Sequence, residues 1–382
     1  MRLAVFSTAR VPSRTANSIQ VLKVSQALLD LGHEVRLWLP GPAPRAPWGD
    51  LAQQYGVRGP VDITWCRSWR PLRRYDYALA SMLEAIRWRA ELFYAWPLQT
   101  AAMAARLGSP IVLELHELPT GRFGPMLLRA FLSGRGARRL LPITAALRDL
   151  AAVSYALPTD PGCVRVAPMG VDLERYQDLP APAEARRLLG WPQTYTVGYT
   201  GHLYAGRGIE LLVEVASQLP EVRFVVIGGE PPAVQAWQGR TRESGAANVQ
   251  FLGFIPNSEL PVYQAACDVL VMPSQRSIAG SSGGDIGQVA SPMKTFEYLA
   301  TGRAIVASDL PVFREVLNPG NAVLLPPNDA AAWARELGAL EHDPNRREQL
   351  GRQARLDARQ YSWLERARRS LEGLDRDGRR GG

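Results

Sequence analysis

Short apolar runs alternate with stretches of helical periodicity along the whole 382-residue chain. That rhythm is what parallel sheets with crossover helices require. In the first half, residues 3–6, 35–39, 92–96 and 111–115 read as strands. Between the first two, Val21, Val24, Leu28 and Leu31 recur at helical spacing, and Gly32 stands where a helix ends; glycine takes the left-handed conformation there at no Cβ penalty. Residues 41–59 are rich in Pro and Gly and read as a long surface loop. After the Pro/Ala-rich segment 178–182, residues 195–200, 223–227, 249–252, 269–272, 304–307 and 323–325 read as six more strands, with helices such as 209–218 and 292–300 between them. The expected fold is α/β: two Rossmann-like, doubly wound domains, 1–178 and 179–361, facing each other across a cleft. Ser362-Trp363-Leu364-Glu365 forms a capping box, and the helix it opens within 362–382 is expected to pack back on the first domain. The tail from Arg376 is polar and Gly-rich and reads as frayed, so its Asp375-Arg376-Asp377 is a chance match to a metal-binding DxD.

Composition narrows the function. The three cysteines, Cys66, Cys163 and Cys267, are dispersed with no CxxC and no paired histidines, which suits a reducing cytosol better than a disulfide framework or a zinc site. The N-terminus lacks the pattern of a signal peptide. Residues 78–95 are apolar enough to consider as a membrane span, but Glu84, Arg87, Arg89 and Glu91 argue against it. The formal charge of +8 is carried largely by arginine. Arg67, Trp69, Arg70, Arg73 and Arg74 cluster, as do Arg87-Trp88-Arg89 and Arg135, Arg138 and Arg139. Cations interleaved with tryptophan suit anionic lipid headgroups or nucleic acid; we expect a cytoplasmic protein, peripheral at an anionic membrane face, with no nucleic acid partner. No GxSxG, HExxH, P-loop or GxGxxG occurs, which leaves serine hydrolysis, ATP hydrolysis and hydride transfer without support.

Candidate site residues fall at predicted strand ends. Ser291 suits a helix N-cap and Pro292 the first helical position, so the Met293 and Lys294 amides would meet an anion at the positive end of the helix. Lys294 is one of only two lysines, with Lys23, and its compact ammonium suits a mobile phosphate. Glu297 follows on the same face, about 5.4 Å per turn away, a plausible step from a diphosphate to sugar hydroxyls. Gly201-His202-Leu203-Tyr204-Ala205-Gly206-Arg207-Gly208 forms a turn after the second domain's first strand, where backbone can approach a ligand while Arg207 and His202 donate to a diphosphate. The Gly-rich segment 280–287, with Asp285, could wrap a sugar. In the first domain, His116 follows strand 111–115 and could donate to a sugar hydroxyl or leaving oxygen. Asn17 or Ser18 is the expected N-cap of the first helix, facing an anion or acceptor.

Together these segments resemble glycosyltransferase family 4. Ser291-Pro292-Met293-Lys294, Glu297-Tyr298-Leu299-Ala300-Thr301-Gly302 and Ile305-Val306-Ala307-Ser308 resemble its donor-site signature. Phe251-Leu252-Gly253-Phe254-Ile255 and Pro168-Met169-Gly170-Val171-Asp172 resemble two further signatures, and Tyr361-Ser362-Trp363 the closing helix. The resemblance implies a GT-B fold and a retaining hexosyltransferase taking a UDP- or GDP-sugar to a glycan or lipid-linked acceptor in envelope or exopolysaccharide synthesis. It implies Glu297 on the ribose diol, Arg207 and Lys294 on the diphosphate, the backbone near Ile255 on the base and His116 near the sugar 6-hydroxyl. Two departures matter: His202 stands where the family usually has Arg, and Val289 replaces the upstream member of its paired glutamates. With no carboxylate cluster, no cofactor or metal is expected. A nucleotide-sugar 2-epimerase and a non-catalytic sugar or polyanion binder are the competing readings.

Overall fold

The computed structural model describes residues 1–44, 46–158, 160–279 and 284–374, apart from the Arg70 side chain. The Gly280–Gly283 part of the predicted sugar loop and the tail with its DxD lie outside these residues. The chain forms two compact units, Met1–Met169 with Trp363–Gly382, and Gly170–Ser362.

In the first unit, strands β1 (Arg2–Phe6), β2 (Glu34–Pro40), β3 (Asp62–Cys66), β4 (Leu92–Ala95), β5 (Ile111–Leu115) and β6 (Arg138–Pro142) form one sheet in the order β3-β2-β1-β4-β5-β6. Every pairing is parallel: Leu3 of β1 faces Val35 of β2 and Leu92 of β4. Such strands are covered on both faces, which explains why β4 and β5 are buried throughout. The central strands were legible as apolar runs. The edge strands β3 and β6 were not, because β3 begins with Asp62 and is only partly buried, while β6 begins with Arg138 and Arg139.

Three first-unit expectations are corrected. Residues 41–59 are not all loop: Trp48–Tyr55 is a helix closed by Gly56 in the left-handed conformation. Its Gln54 and Tyr55 side chains hydrogen-bond the Ser13 backbone, so tertiary contacts stabilise what the composition hides. The first helix, Ala16–Asp30, is N-capped by Thr15, not Asn17 or Ser18. Ser18 is fully buried in its first turn, its hydroxyl donating to the Thr15 carbonyl at 2.8 Å. The third arginine cluster is structural in part. Arg139 is buried and donates to the Gly162 and Ser370 carbonyls, and Arg138 to the Leu132 and Gly136 carbonyls.

The second unit repeats the plan with β7 (Thr196–Thr200), β8 (Arg223–Ile227), β9 (Val249–Gly253), β10 (Val269–Met272), β11 (Ala304–Ser308) and β12 (Val323–Leu325), ordered β12-β11-β10-β7-β8-β9. Val197, Tyr199, Phe224, Val226, Val271 and Val306 meet Trp333 and Leu337 in its main core. The chain joins this unit at Gly170, upstream of the expected 178/179 boundary. Val171 bridges Ser362, Tyr176 donates to Gln264 and Arg175 to Asn257, and these bonds outweigh the Pro/Ala-rich composition as a marker. The final helix, Trp363–Leu371, belongs to the first unit and packs on the helix Ala16–Asp30.

Candidate functional site

In the second unit the strand order reverses between β7 and β10, the position at which open parallel sheets admit ligands beyond their carboxyl ends. The turn after β7 carries Gly201, His202 and Arg207. The connection from β10 to β11 carries Lys294 and Glu297 on the helix Met293–Thr301. Tyr298 of that helix ties the two together, its hydroxyl accepting from the Thr200 amide at 2.7 Å.

Lys294 lies against the turn. Its Nζ is 3.8 Å from the centre of the Tyr199 ring, a cation–π contact. Gly201, at φ +141°, makes room for it: a Cβ there would stand 2.8 Å from Nζ. At Gly208, φ +79°, a Cβ would fall 1.7 Å from the Pro273 carbonyl oxygen, so only glycine lets the turn approach the β10 end so closely. Lys294 Nζ and Arg207 Nε are both buried and, among the described residues, without a hydrogen-bond partner. Burial, then Arg207, pushes the Lys294 ammonium well below its ordinary pKa, against the opposing pull of Glu297. Two neighbouring cations thus present buried donors that an anion could satisfy.

The remaining candidates divide. Glu297 accepts from Gln264 Nε2 at 3.4 Å. The helix start lies one residue later than expected: Pro292, in extended conformation, is the N-cap and Met293 the first helical residue, because proline's missing N–H suits a flanking position as well as the first turn. Ser291 is thereby outside the helix. The His202 ring stacks on Tyr204 at 4.8 Å and 5°, and its carbonyl accepts from Tyr199. Ile255 is half-buried after β9. The β9 end reaches the turn through backbone bonds, Gly228 N–H to the Gly253 carbonyl at 2.6 Å and Gly201 N–H to the Ile227 carbonyl at 2.8 Å. Asp285 is occupied locally: its Oδ1 accepts from the Gly287 and Ile278 amides at 2.8 and 2.9 Å, which hold its carboxyl below the usual range. It borders a cavity of about 670 Å³ with Gly206, Glu210, Ser277 and Asn328, while Lys294 and Arg207 do not line it.

His116, Asn17 and Ser18 belong to the first unit. His116 is partly exposed, its Nε2 3.2 Å from Glu114 Oε2 and 3.3 Å from Gln20 Nε2. Sequence reasoning passed over Glu114, although a lone acid in the apolar run Ile-Val-Leu-Glu-Leu was its signal. Nothing local marked Arg366, its distant partner. Among the described residues, no group of three or more His, Cys, Asp or Glu side chains is placed to hold a metal ion.

Residues 184–357 match the family model described as glycosyl transferases group 1, and residues 18–175 match glycosyltransferase family 4. A D-inositol 3-phosphate glycosyltransferase of Xylanimonas cellulosilytica is 32% identical over 55% of this chain and 50% of its own length. The chain thus spans about half the length of that curated relative. Two solved structures share the fold. Sucrose-phosphate synthase of Thermosynechococcus elongatus has a TM-score of 0.74 at 19% identity, covering 98% of both chains. HepE of Anabaena, in complex with UDP-glucose, has 0.73 at 17%, covering 98% of this chain and 99% of that one.

Proposed function

Because the chain belongs to the group 1 glycosyltransferases of family 4 and has their GT-B fold, we propose that it transfers a hexose from a UDP- or GDP-sugar to a glycan or lipid-linked acceptor. Envelope or exopolysaccharide synthesis is the expected setting. The observation that carries this reading is the pair of buried cationic donors, Lys294 Nζ and Arg207 Nε, at the β7/β10 strand ends, unpartnered among the described residues. A nucleotide diphosphate supplies the negative oxygens they lack. The UDP-glucose held by the HepE relative is a donor of that class.

The resemblance to the family implies a front-face displacement. The anomeric carbon–oxygen bond to the diphosphate breaks, and a bond to the acceptor oxygen forms on the same face. The acceptor proton passes to the departing diphosphate oxygen, so configuration is retained with no covalent protein adduct. Charge building on the leaving group is stabilised by Lys294, Arg207 and the helix start at Met293, held in place before the reaction begins. The 2-epimerase reading gains no support: Glu297 and Asp285, the carboxylates that the sequence suggested for the site, are engaged by Gln264 and by backbone amides.

Isothermal titration with UDP, GDP and their sugars tests the grip, and product analysis with candidate acceptors tests the transfer. Removing a charged hydrogen bond costs about 1.5–3 kcal/mol. Lys294→Met and Arg207→Ala should therefore each weaken nucleotide binding roughly 10- to 100-fold. Unchanged affinity in the double variant for every nucleotide sugar would overturn the reading; epimerised donor, or binding without turnover, would replace it with one of its rivals.

A further inference from the structure

Beneath His116 lies a buried acid with every oxygen engaged. Glu114 is 3% exposed in the middle of β5. Its Oε1 accepts from Arg366 NH1 at 2.7 Å and from the Tyr94 hydroxyl. Its Oε2 accepts from Arg366 NH2 at 2.8 Å and Gln20 Nε2 at 3.1 Å, and lies 3.2 Å from His116 Nε2. Arg366 comes from the final helix Trp363–Leu371, and its fork is filled further by the Pro168 carbonyl at 2.7 Å and the Ala167 carbonyl at 3.1 Å. Burial pushes the Glu114 carboxyl up, but Arg366 and His116 bring it down to about 2. The group is a carboxylate, and a carboxylate only accepts.

We propose that Glu114 is a positioning residue that locks the neutral His116 ring in the tautomer carrying its proton on Nε2. An unprotonated Nε2 would set its lone pair against Oε2. The Gln20 amide could offer its second N–H to a bare Nε2 at 3.3 Å, but it already donates to Oε2 at 3.1 Å, and that one neutral contact is weaker than the charge-assisted bond that a proton on Nε2 makes to the carboxylate. Nδ1 is therefore left as the acceptor of the ring. Resting on the glycosyl-transfer reading above, the consequence is that neutral His116 accepts a hydrogen bond from a sugar hydroxyl. The sequence had suggested the reverse, a donor. One tautomer in one orientation also spares the enzyme from sorting ring states during each turnover.

The chain has four histidines, His33, His116, His202 and His342, so two-bond proton–nitrogen correlation spectra of 15N-labelled protein can resolve them, His116 being assigned by its loss in His116→Asn. At alkaline pH, once the ring signals no longer move with pH, His116 should show the pure Nε2–H pattern with no substrate present. An Nδ1–H or averaged pattern in the wild-type protein would overturn the proposal, whatever the variants do. In Glu114→Gln the pattern should become mixed, and kcat should fall about 10- to 100-fold with donor KM little changed. A mixed tautomer at full kcat would sink the catalytic consequence. A locked tautomer in a protein that transfers no sugar would uphold the positioning role and fail the glycosyltransferase reading instead.

Discussion

Lys294 is held in a state that folding alone does not favour. Its ammonium is out of water, beside a second cation, and among the described residues the Tyr199 ring and the Glu297 carboxylate compensate it. For a base, a folded pKa below the ordinary 10.5 means that the unfolded chain binds more protons between those two values. The stability of the unliganded protein therefore rises with pH across that window, and it is the protonated, charged form that folding penalises. A bound diphosphate reverses the balance by drawing the proton back, so binding within the window takes up a proton and weakens as pH rises. Calorimetry in buffers of different ionisation enthalpy should show this uptake in the wild type and lose it in Lys294→Met; identical uptake in both would assign the proton elsewhere. At this scale the sequence was informative. Lys294 stood out by its rarity and Arg207 by its glycine neighbours, whereas the Tyr199 and Tyr298 contacts depend on residues meeting in space. Asp285 shows the opposite outcome, a carboxylate in a glycine-rich segment whose visible bonds go to its own loop.

Two helices illustrate what elements add. The helix Tyr75–Arg87 buries Tyr77, Ala78, Ser81, Met82 and Ala85 on one face. Its Tyr75, Leu79, Leu83 and Ile86 are exposed on another, and Leu72 and Trp69, the latter 67% exposed, precede the helix. Exposed Arg73 and Arg74 at one end and Arg87 and Arg89 at the other bracket this stripe. An apolar row between cations is complementary to an anionic bilayer. On this reading the wild type sediments with anionic liposomes at physiological salt, and Leu79→Glu/Leu83→Glu remains in the supernatant. Equal recovery of both proteins would remove the membrane proposal. Among the described residues, no helix is long and apolar enough to cross a membrane. The final helix acts inwardly through the Arg366–Glu114 pair. A depressed carboxylate contributes fully above its unfolded value of 4.5, and the contribution fades as pH falls toward about 2. Arg366→Leu strands a buried charge and should cost about 3–5 kcal/mol near neutrality, with a smaller deficit toward pH 2; urea titrations across that range would measure it. A uniform deficit at all pH values would point to lost packing alone.

For the whole molecule, the two sheets have the same strand order once each is numbered from its own first strand. The proposed grip on an anion falls at the reversal point of the second. On the proposed mechanism, Lys294, Arg207 and helix amides offset the leaving-group charge. Transfer should then persist in excess chelator, and activity restored only by added magnesium or manganese would refute that account. The sequence by itself determined the two-unit parallel plan, because strands covered on both faces must be apolar and their alternation with helices admits few topologies. It also marked the glycine turn and the two cations, whose chemistry is local. Only the tertiary structure decided the edge strands, the helix at Trp48–Tyr55, the joint at Gly170 and the union of Glu114 with Arg366. Edge strands and short helices are stabilised by neighbours far along the chain, and a buried ion pair exists only once folding has excluded water from both partners.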